Sequence, residues 1–349
     1  MRPDAVCAAA GRRFPWLPRL TASPVARRLW RLMVWGFWLI YFGFVTLVLA
    51  LRYSILPNIE QHRPDIERFV SQGLGQAVSI GRIEASWEGI NPDLTLFDVQ
   101  VHDAAGRPAL AFSRVEAILS WWSVPNAKAR LRLLRIDQPT LHLRRDREGH
   151  FFIAGIPLSG GEGDSDVSDW IFGLRRVRIH NATLIWEDEQ RQAPVLRLES
   201  LNFALDNFGR THRFGLTARP PTEFASPIDV RGDFRGSDID SRGDWSGNAF
   251  AEIDEIDLAV WRQWIDYPFA LPHGRGALRA WIGVADGALR EMTLDLSLVD
   301  ANLRLARHLP SLDLARLSGR IAASFSEKGF VVNGRQVALE TRSEPRAKG

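Results

Sequence analysis

Hydrophobic positions follow two regimes along this chain. From Leu32 to Leu51 (LMVWGFWLIYFGFVTLVLAL) there is no charge for 20 residues, and apolar side chains dominate. A helix rises about 1.5 Å per residue, so the run reaches ~30 Å, the hydrocarbon thickness of a bilayer. It is apolar on every face, unlike an amphipathic surface helix. A membrane span is expected over residues 32–52. A second helix is expected between Pro57 and Gly75. There Ile59, Ile66, Phe69, Val70 and Leu74 recur at helical spacing, and Gly73 and Gly75 supply the stop.

From Ala77 onward the period becomes two. Val78-Ser79-Ile80, Leu94-Thr95-Leu96, Val99-Gln100-Val101, Leu131-Arg132-Leu133 and Leu141-His142-Leu143 open the series. Val177-Arg178-Ile179, Leu184-Ile185-Trp186, Leu196-Arg197-Leu198, Ile228-Asp229-Val230 and Leu294-Asp295-Leu296 continue it. Strands with one apolar and one polar face follow from this alternation. Turn signals separate them, among them Asn91-Pro92-Asp93, Glu148-Gly149 and Gly232-Asp233. One acidic, glycine-rich loop is expected at Ser159–Ser168. One short helix is expected at Leu258–Ile265, closed by Tyr267-Pro268.

A weak repeat runs through the series. Pro92-Asp93-Leu94-Thr95-Leu96 is echoed at Pro139–Leu143, Ala182–Trp186 and Ala301–Leu305. The second and third copies extend to a shared Arg-Ile (Arg135-Ile136, Arg178-Ile179), 43 residues apart. The repeat reads as a turn-to-strand entry used several times. About 20 strands would stack to ~100 Å. The alternation leaves two architectures open. Two apolar faces can close on each other as a sandwich. Alternatively, one long curved sheet can present its apolar face to a groove, which must then be occupied or covered.

Charge sets orientation. Residues 1–31 hold seven Arg and one Asp, while Arg52 is soon followed by Glu60, Asp65 and Glu67. The arginine-rich flank predicts a cytoplasmic N-terminus and an exported body. Signal peptides carry shorter apolar regions, about 7–15 residues, so an uncleaved anchor is expected. The net charge of +3 leaves the body at −3 once the +6 of residues 1–31 is removed, which argues against nucleic acid as a partner. Cys7 is the single cysteine and precedes the span, so the body has no disulfide, thiolate cluster or cysteine nucleophile.

No catalytic set of residues stands out in the sequence. The eight histidines are scattered and none has HExxH spacing. His102, His142 and His180 fall at polar positions of alternating strands and read as solvated. Glu187-Asp188-Glu189 and Asp254–Asp257 lack calcium-loop spacing and read as solvated turns. No G-x-S-x-G occurs, and Gly160–Gly163 is not a phosphate loop. Of 13 tryptophans, Trp121-Trp122 and Trp261/Trp264 read as core packing, with a carbohydrate platform or a membrane contact as alternatives.

The order of several segments resembles the AsmA-like family of bacterial envelope proteins, most closely its YhdP branch. They are Ile80–Gly89, Pro92-x-Leu94-x-Leu96-x-Asp98-Val99, Gly106–Leu110, Leu134–Pro139 and Leu141-x-Leu143-Arg144-Arg145-Asp146. Trp261-x-x-Trp264 with Tyr267-Pro268, and Gly274-Arg275-Gly276 before Trp281, complete the set. The resemblance implies a mainly β protein: a single N-terminal transmembrane helix, then an elongated, curved antiparallel β-groove with few short helices. It implies an inner-membrane protein with a periplasmic body that passes phospholipid toward the outer membrane, with no catalytic residues, metal or cofactor. Members of that branch are usually far longer, so this chain corresponds to an N-terminal portion. On that reading the regions are a cytoplasmic tail (1–31), the span (32–52), a stalk helix (53–76), the groove (77–341) and a polar tail (342–349). Leu94, Leu96, Leu141, Leu143, Leu184, Trp186, Leu196, Leu198, Leu303 and Leu305 are expected to line it. The competing expectation is a periplasmic scaffold or assembly factor whose strand edges bind outer-membrane or periplasmic proteins.

Overall fold

The computed structural model describes residues 24–74, 76–89, 91–102, 106, 108–121, 131–153, 156–157, 174–237, 242–267, 269–304, 308–326 and 329–342. The expected loop at Ser159–Ser168, Cys7, Trp122, Leu305 and most of both terminal tails lie outside these residues. The chain divides into two units, residues 1–57 and 58–349.

In the first unit, α1 spans Pro24–Ala50 and carries the whole uncharged run apart from Leu51. Pro24 is its first residue, where the missing N–H costs nothing. Trp35 and Leu39 are each 75% exposed, and most other large side chains of the run also face outward. The helix is long and apolar enough to cross a membrane. A π-turn follows at Leu51–Ile55, then a 3₁₀ segment at Leu56–His62.

The second unit is one open, curved sheet. After α2 (Arg63–Leu74) come β1 (Val78–Glu88), β2 (Asn91–His102), β3 (Pro108–Leu119), β4 (Leu131–Asp137), β5 (Thr140–Arg145), β6 (Phe151–Ile153), β7 (Ile156–Pro157) and β8 (Arg176–Asp188). Then follow β9 (Leu196–Phe208), β10 (Thr211–Arg219), β11 (Ile228–Arg235), β12 (Ser246–Asp257), α3 (Leu258–Trp261), β13 (Ala270–Ala285), β14 (Ala288–Arg304), β15 (Leu312–Ser326) and β16 (Gly329–Thr341). All sixteen strands belong to one sheet. Its main path runs β1-β2-β3-β4-β8-β9 and then in order to β16. No second sheet faces it among the described residues, which removes the sandwich. Thirteen strands on that path, rather than about 20, reach about 58 Å at ~4.8 Å per step.

Two pairings are parallel, not antiparallel as expected: β4 with β8 and β5 with β8. Residues 146–175 make the crossover, well beyond the dozen or so residues a parallel connection needs. The register explains the sequence repeat. Leu134 lies opposite Val177, Ile136 opposite Ile179, and Leu143 opposite Trp186, so partners are 43 residues apart. The second and third copies are neighbours in space.

The repeat unit itself needs correction. Pro92 does sit early in β2, just after a turn, but Pro139, Ala182 and Ala301 each follow a residue in the left-handed region. Those residues are Gln138 (φ 53), Asn181 (φ 51) and Asp300 (φ 50). Asp98 (φ 51), Ser200 (φ 48) and Gln336 (φ 52) occupy the same role elsewhere. At these places the inward alternation takes a step of three instead of two: Leu96 to Val99, Ile136 to Pro139, Ile179 to Ala182, Leu198 to Leu201, Leu298 to Ala301. Residues on both sides of a step still pack in one cluster, as Leu298 and Ala301 do, and Ile179 with Ala182. Each step is a local break in the alternation that keeps apolar side chains on one face; at Asn181, Ser200 and Asp300 it coincides with a bulge in the pairing, whereas across Asp98 both neighbours stay in register. Short polar residues tolerate positive φ best, which fits Asp98, Asn181 and Asp300.

The β1 edge is closed by side chains from the preceding helical segment. The carboxylates of Glu60 and Glu67 accept from the N–H groups of Ile83 (3.0 Å) and Ile80 (2.7 Å). Ser71 Oγ accepts from Val78 N–H, and Arg63 donates to the Gly81 carbonyl at 2.8 Å. Edge groups that could pair with another chain are thereby used. The opposite edge, β16, is exposed throughout.

Candidate functional site

The site is the apolar face. Pairing registers place Ile83, Leu96, Val115, Ile136, Ile179, Phe203, Leu216, Val230, Ala251, Ala280, Leu294, Ile321 and Gly334 side by side. A second row two residues away reads Ala85, Leu94, Ala117, Leu134, Val177, Leu205, Phe214, Gly232, Ala249, Ile282, Met292, Ala323 and Val332. No polar side chain interrupts either row across thirteen strands. Gly232 is no gap: a Cβ there would lie 2.3 Å from the Phe214 ring, which covers the position.

The positions between these rows, on the other face, are largely polar. Glu84, Glu116, Arg135, Arg178 and Arg231 occupy them. Opposite charges meet across strands, as in Arg135–Glu116, Arg279–Glu252 and Arg320–Asp295. The hydrogen bond from Arg320 holds the Asp295 carboxyl below its ordinary value.

Among the described residues the apolar face is covered in three places, the smallest where Leu174 packs with Val177 and Leu205 against Leu134, Phe203 and Phe214. Ile59, Ile66 and Val70 pack onto Val78, Ile80, Ile83, Leu96, Val99, Val101 and Val115. Beyond the bulge line, Trp261 and Trp264 pack with Leu196, Ala225 and Ile256, against Trp186 and Leu198. Asp257 caps α3 by accepting from Ala259 and Val260 N–H (3.1 and 3.3 Å), which sets the first tryptophan in place. The indole N–H groups donate to the Phe224 and Pro194 carbonyls at 3.2 and 3.0 Å. These tryptophans are core residues. The helix is shorter than the sequence suggested, with Trp264 in the turn after it. Outside these clusters' buried centres, Ile179, Phe203, Phe214, Leu216, Val230, Ile282, Leu294 and Ile321 remain half-buried.

The ten expected lining residues divide accordingly. Leu94 and Leu96 lie in the two rows, Leu96 buried and Leu94 half-buried near the cover over the first strands. Leu141, Leu143, Leu184, Trp186, Leu196, Leu198 and Leu303 lie beyond the bulge line, on the same face. Leu196 is buried and the others half-buried. Leu305 lies outside the described residues. The central stretch, from Phe203 to Ile321, was missing from that set. Its signal was the same alternation, at Phe203, Phe214, Leu216 and Leu294.

One polar reading also changes, and one histidine is buried. Asp188 is not a solvated turn residue: its side chain is 1% exposed and takes a two-point hydrogen bond from Arg145. His212, at 6% exposure, contacts Asn207 Oδ1 at 2.8 Å, and burial pushes its pKa down. Among the described residues no group of three or more His, Cys, Asp or Glu is placed to hold a metal.

A family model described as YhdP protein matches residues 18–348. The chain belongs to the YhdP family. No curated protein and no solved structure matches it. For this YhdP family member the match covers α1 and the whole sheet, so the anchor-like helix and the two apolar rows belong to the family region itself.

Proposed function

We propose that this YhdP family member is an inner-membrane-anchored segment of a bridge-like phospholipid transport protein. On this reading α1 is the anchor, the sheet is periplasmic, and lipid moves along its apolar face toward the outer membrane. The observation that carries the reading is the pair of unbroken thirteen-residue rows. A core would be sealed, and a soluble surface would be interrupted by polar groups. This face is neither. Acyl chains lying across the strands would keep water off the rows while headgroups stay wet, and no chemical step is required of the protein. Phospholipid is the partner, and neither cofactor nor catalytic residue has a part.

Photocrosslinking in cells tests it. Probes at Phe203, Leu216 and Leu294 should yield phospholipid adducts, and probes at Thr293 and Ala204 on the opposite face should not. Equal labelling of both sets, or of neither, would sink the reading.

One observation favours a second reading, a scaffold for outer-membrane or periplasmic proteins. β16 is a long, exposed edge with Phe330, Val331 and Val332 at 71%, 60% and 55% exposure, and such an edge can accept a client strand. Protein adducts at β16 without lipid adducts on the rows would favour it.

A further inference from the structure

One place on the polar face breaks its own pattern. The row between the two apolar rows is charged at Glu84, Glu116, Arg135 and Arg178. It then loses its polar side chains at Ala204 and Gly215, regains one at Arg231, whose guanidinium is drawn aside to Asp229, and reaches an aromatic pair, Phe250 and Trp281. The two rings stand 5.3 Å apart, tilted at 46°. Arg320 braces the indole from 5.6 Å, yet Trp281 remains 38% exposed. A shallow cavity of about 680 Å³ elsewhere is lined by a mixture of charged, polar and apolar groups, whereas the one here, about 640 Å³, has Ala204, Gly215, Phe250 and Trp281 along its floor beside Arg231. That volume falls within the range of small-molecule sites. The floor is open at Gly215, where an added Cβ would meet nothing within 4 Å.

Polar rows run along both sides of this floor. Asn202, Thr217 and Asp229 form one; Arg213, Asp233 and Asn248 form the other. Four residues separate them along a strand, about 14 Å. Each arginine that lines the cavity already has a carboxylate: Arg178 with Asp206 (2.7 Å), Arg213 with Asp233 (2.8 Å) and Arg231 with Asp229 (2.6 Å). An anionic ligand would have to displace those aspartates. The site therefore suits a neutral molecule, apolar on its face and hydrogen-bonding along both edges.

We propose that this notch binds a neutral saccharide chain. The sugar rings lie on Trp281, Phe250 and the Ala204–Gly215 floor, crossing the stem of Arg231 whose guanidinium is held by Asp229, and their hydroxyls meet the two polar rows. A carboxylate held by an arginine presents fixed acceptors beside fixed donors, which suits hydroxyl groups that both give and take a hydrogen bond. The site lies on the face opposite the apolar rows and does not depend on what occupies them.

The test uses the full chain in lipid nanodiscs and three neutral hexasaccharides: cellohexaose, maltohexaose and the β-1,4-linked N-acetylglucosamine hexamer. Saturation-transfer NMR and isothermal titration should detect saturable binding of at least one. Trp281→Ala should weaken it at least about tenfold and Trp281→Phe much less, as expected for loss of a stacking ring. Gly215→Leu fills the floor from a position with room for a side chain, so it should abolish binding while the protein stays folded. Should Trp281→Ala fail to fold, the Gly215→Leu result decides alone. Absence of binding to all three sugars, or binding that survives Gly215→Leu, would overturn the proposal. So would tighter binding of an anionic hexauronate.

Discussion

A single carboxylate placed in the apolar rows separates a conduit from a static lipid-binding patch. Val230 sits mid-row, between Leu216 and Ala251, and is half-buried. From β8 to β15 the two rows cross seven strand gaps, about 34 Å, and lie about 7 Å apart. That is roughly 240 Å² of face, and keeping water off it is worth about 6 kcal/mol at ~25 cal/mol per Å². In Val230→Asp an acyl chain crossing β11 must strip water from an ionised carboxylate, at a cost of several kcal/mol. Half of the gain is then lost at the least, and ~3 kcal/mol lowers occupancy about 100-fold. Without lipid the carboxylate stays hydrated, so the fold should survive; circular dichroism checks this.

The assay is crosslinking on either side of the block, with probes at Leu134 and Leu294. If lipid enters from the β1 end, Val230→Asp should leave labelling at Leu134 intact and remove it at Leu294. Thr293→Asp puts the same charge on the opposite face and should change neither. Undiminished labelling at Leu294 in Val230→Asp would refute passage along the rows, whatever it says about lipid binding.

Other predictions concern what holds the site. Asn181→Val forces a β-branched residue into φ 51 and should cost about 1–2 kcal/mol, while Asn181→Gly should be close to neutral; paired thermal melts would show no difference if the bulge were unimportant. Trp264→Ala removes a buried ring and its bond to Pro194, and should cost about 3–5 kcal/mol by denaturant titration. Asp188→Ala leaves Arg145 without its carboxylate in a largely buried site, again about 3–5 kcal/mol, with much of it recovered in the Arg145→Ala/Asp188→Ala double mutant. Burial lowers the pKa of His212, so its neutral form favours the fold. That contribution is complete above the unfolded value near ~6.5 and is lost as pH falls below it, and His212→Gln should flatten this part of the stability–pH curve.

The alternation of apolar and polar residues was enough to read strands and one apolar face from Ala77 onward, because a period of two survives in each strand taken singly. What it did not reveal was relative position. Residues in one row are brought together by register, and the parallel step at β8 depends on a crossover of unpredictable path. The 43-residue repeat did carry that register, but its meaning depends on knowing that Ile136 and Ile179 sit side by side. The steps of three were visible only as broken alternation, such as Leu96 followed by Val99. A lone step of three looks like noise until φ at Asp98 and its counterparts shows a line of them. Trp281 was missed for a related reason: within β13 it is one more aromatic residue, and only the cross-strand row shows it standing where charges belong.

The placement of the covers gives the apolar face its functional logic. Ile59, Ile66 and Val70 shield its first strands, and the Trp261–Trp264 cluster shields the region beyond the bulges. Among the described residues no further element covers β10 to β15 along the rows, where Leu216, Val230, Leu294 and Ile321 are only half-buried. At ~25 cal/mol per Å², that exposure costs several kcal/mol, a large fraction of the 5–15 kcal/mol that stabilises a typical domain. Among the described residues, the half-buried stretch is bounded on one side by the line where the alternation breaks and on the other by the buried Asn207–His212 pair. A face so delimited fits an occupant that is apolar, elongated and exchangeable, and acyl chains meet all three conditions.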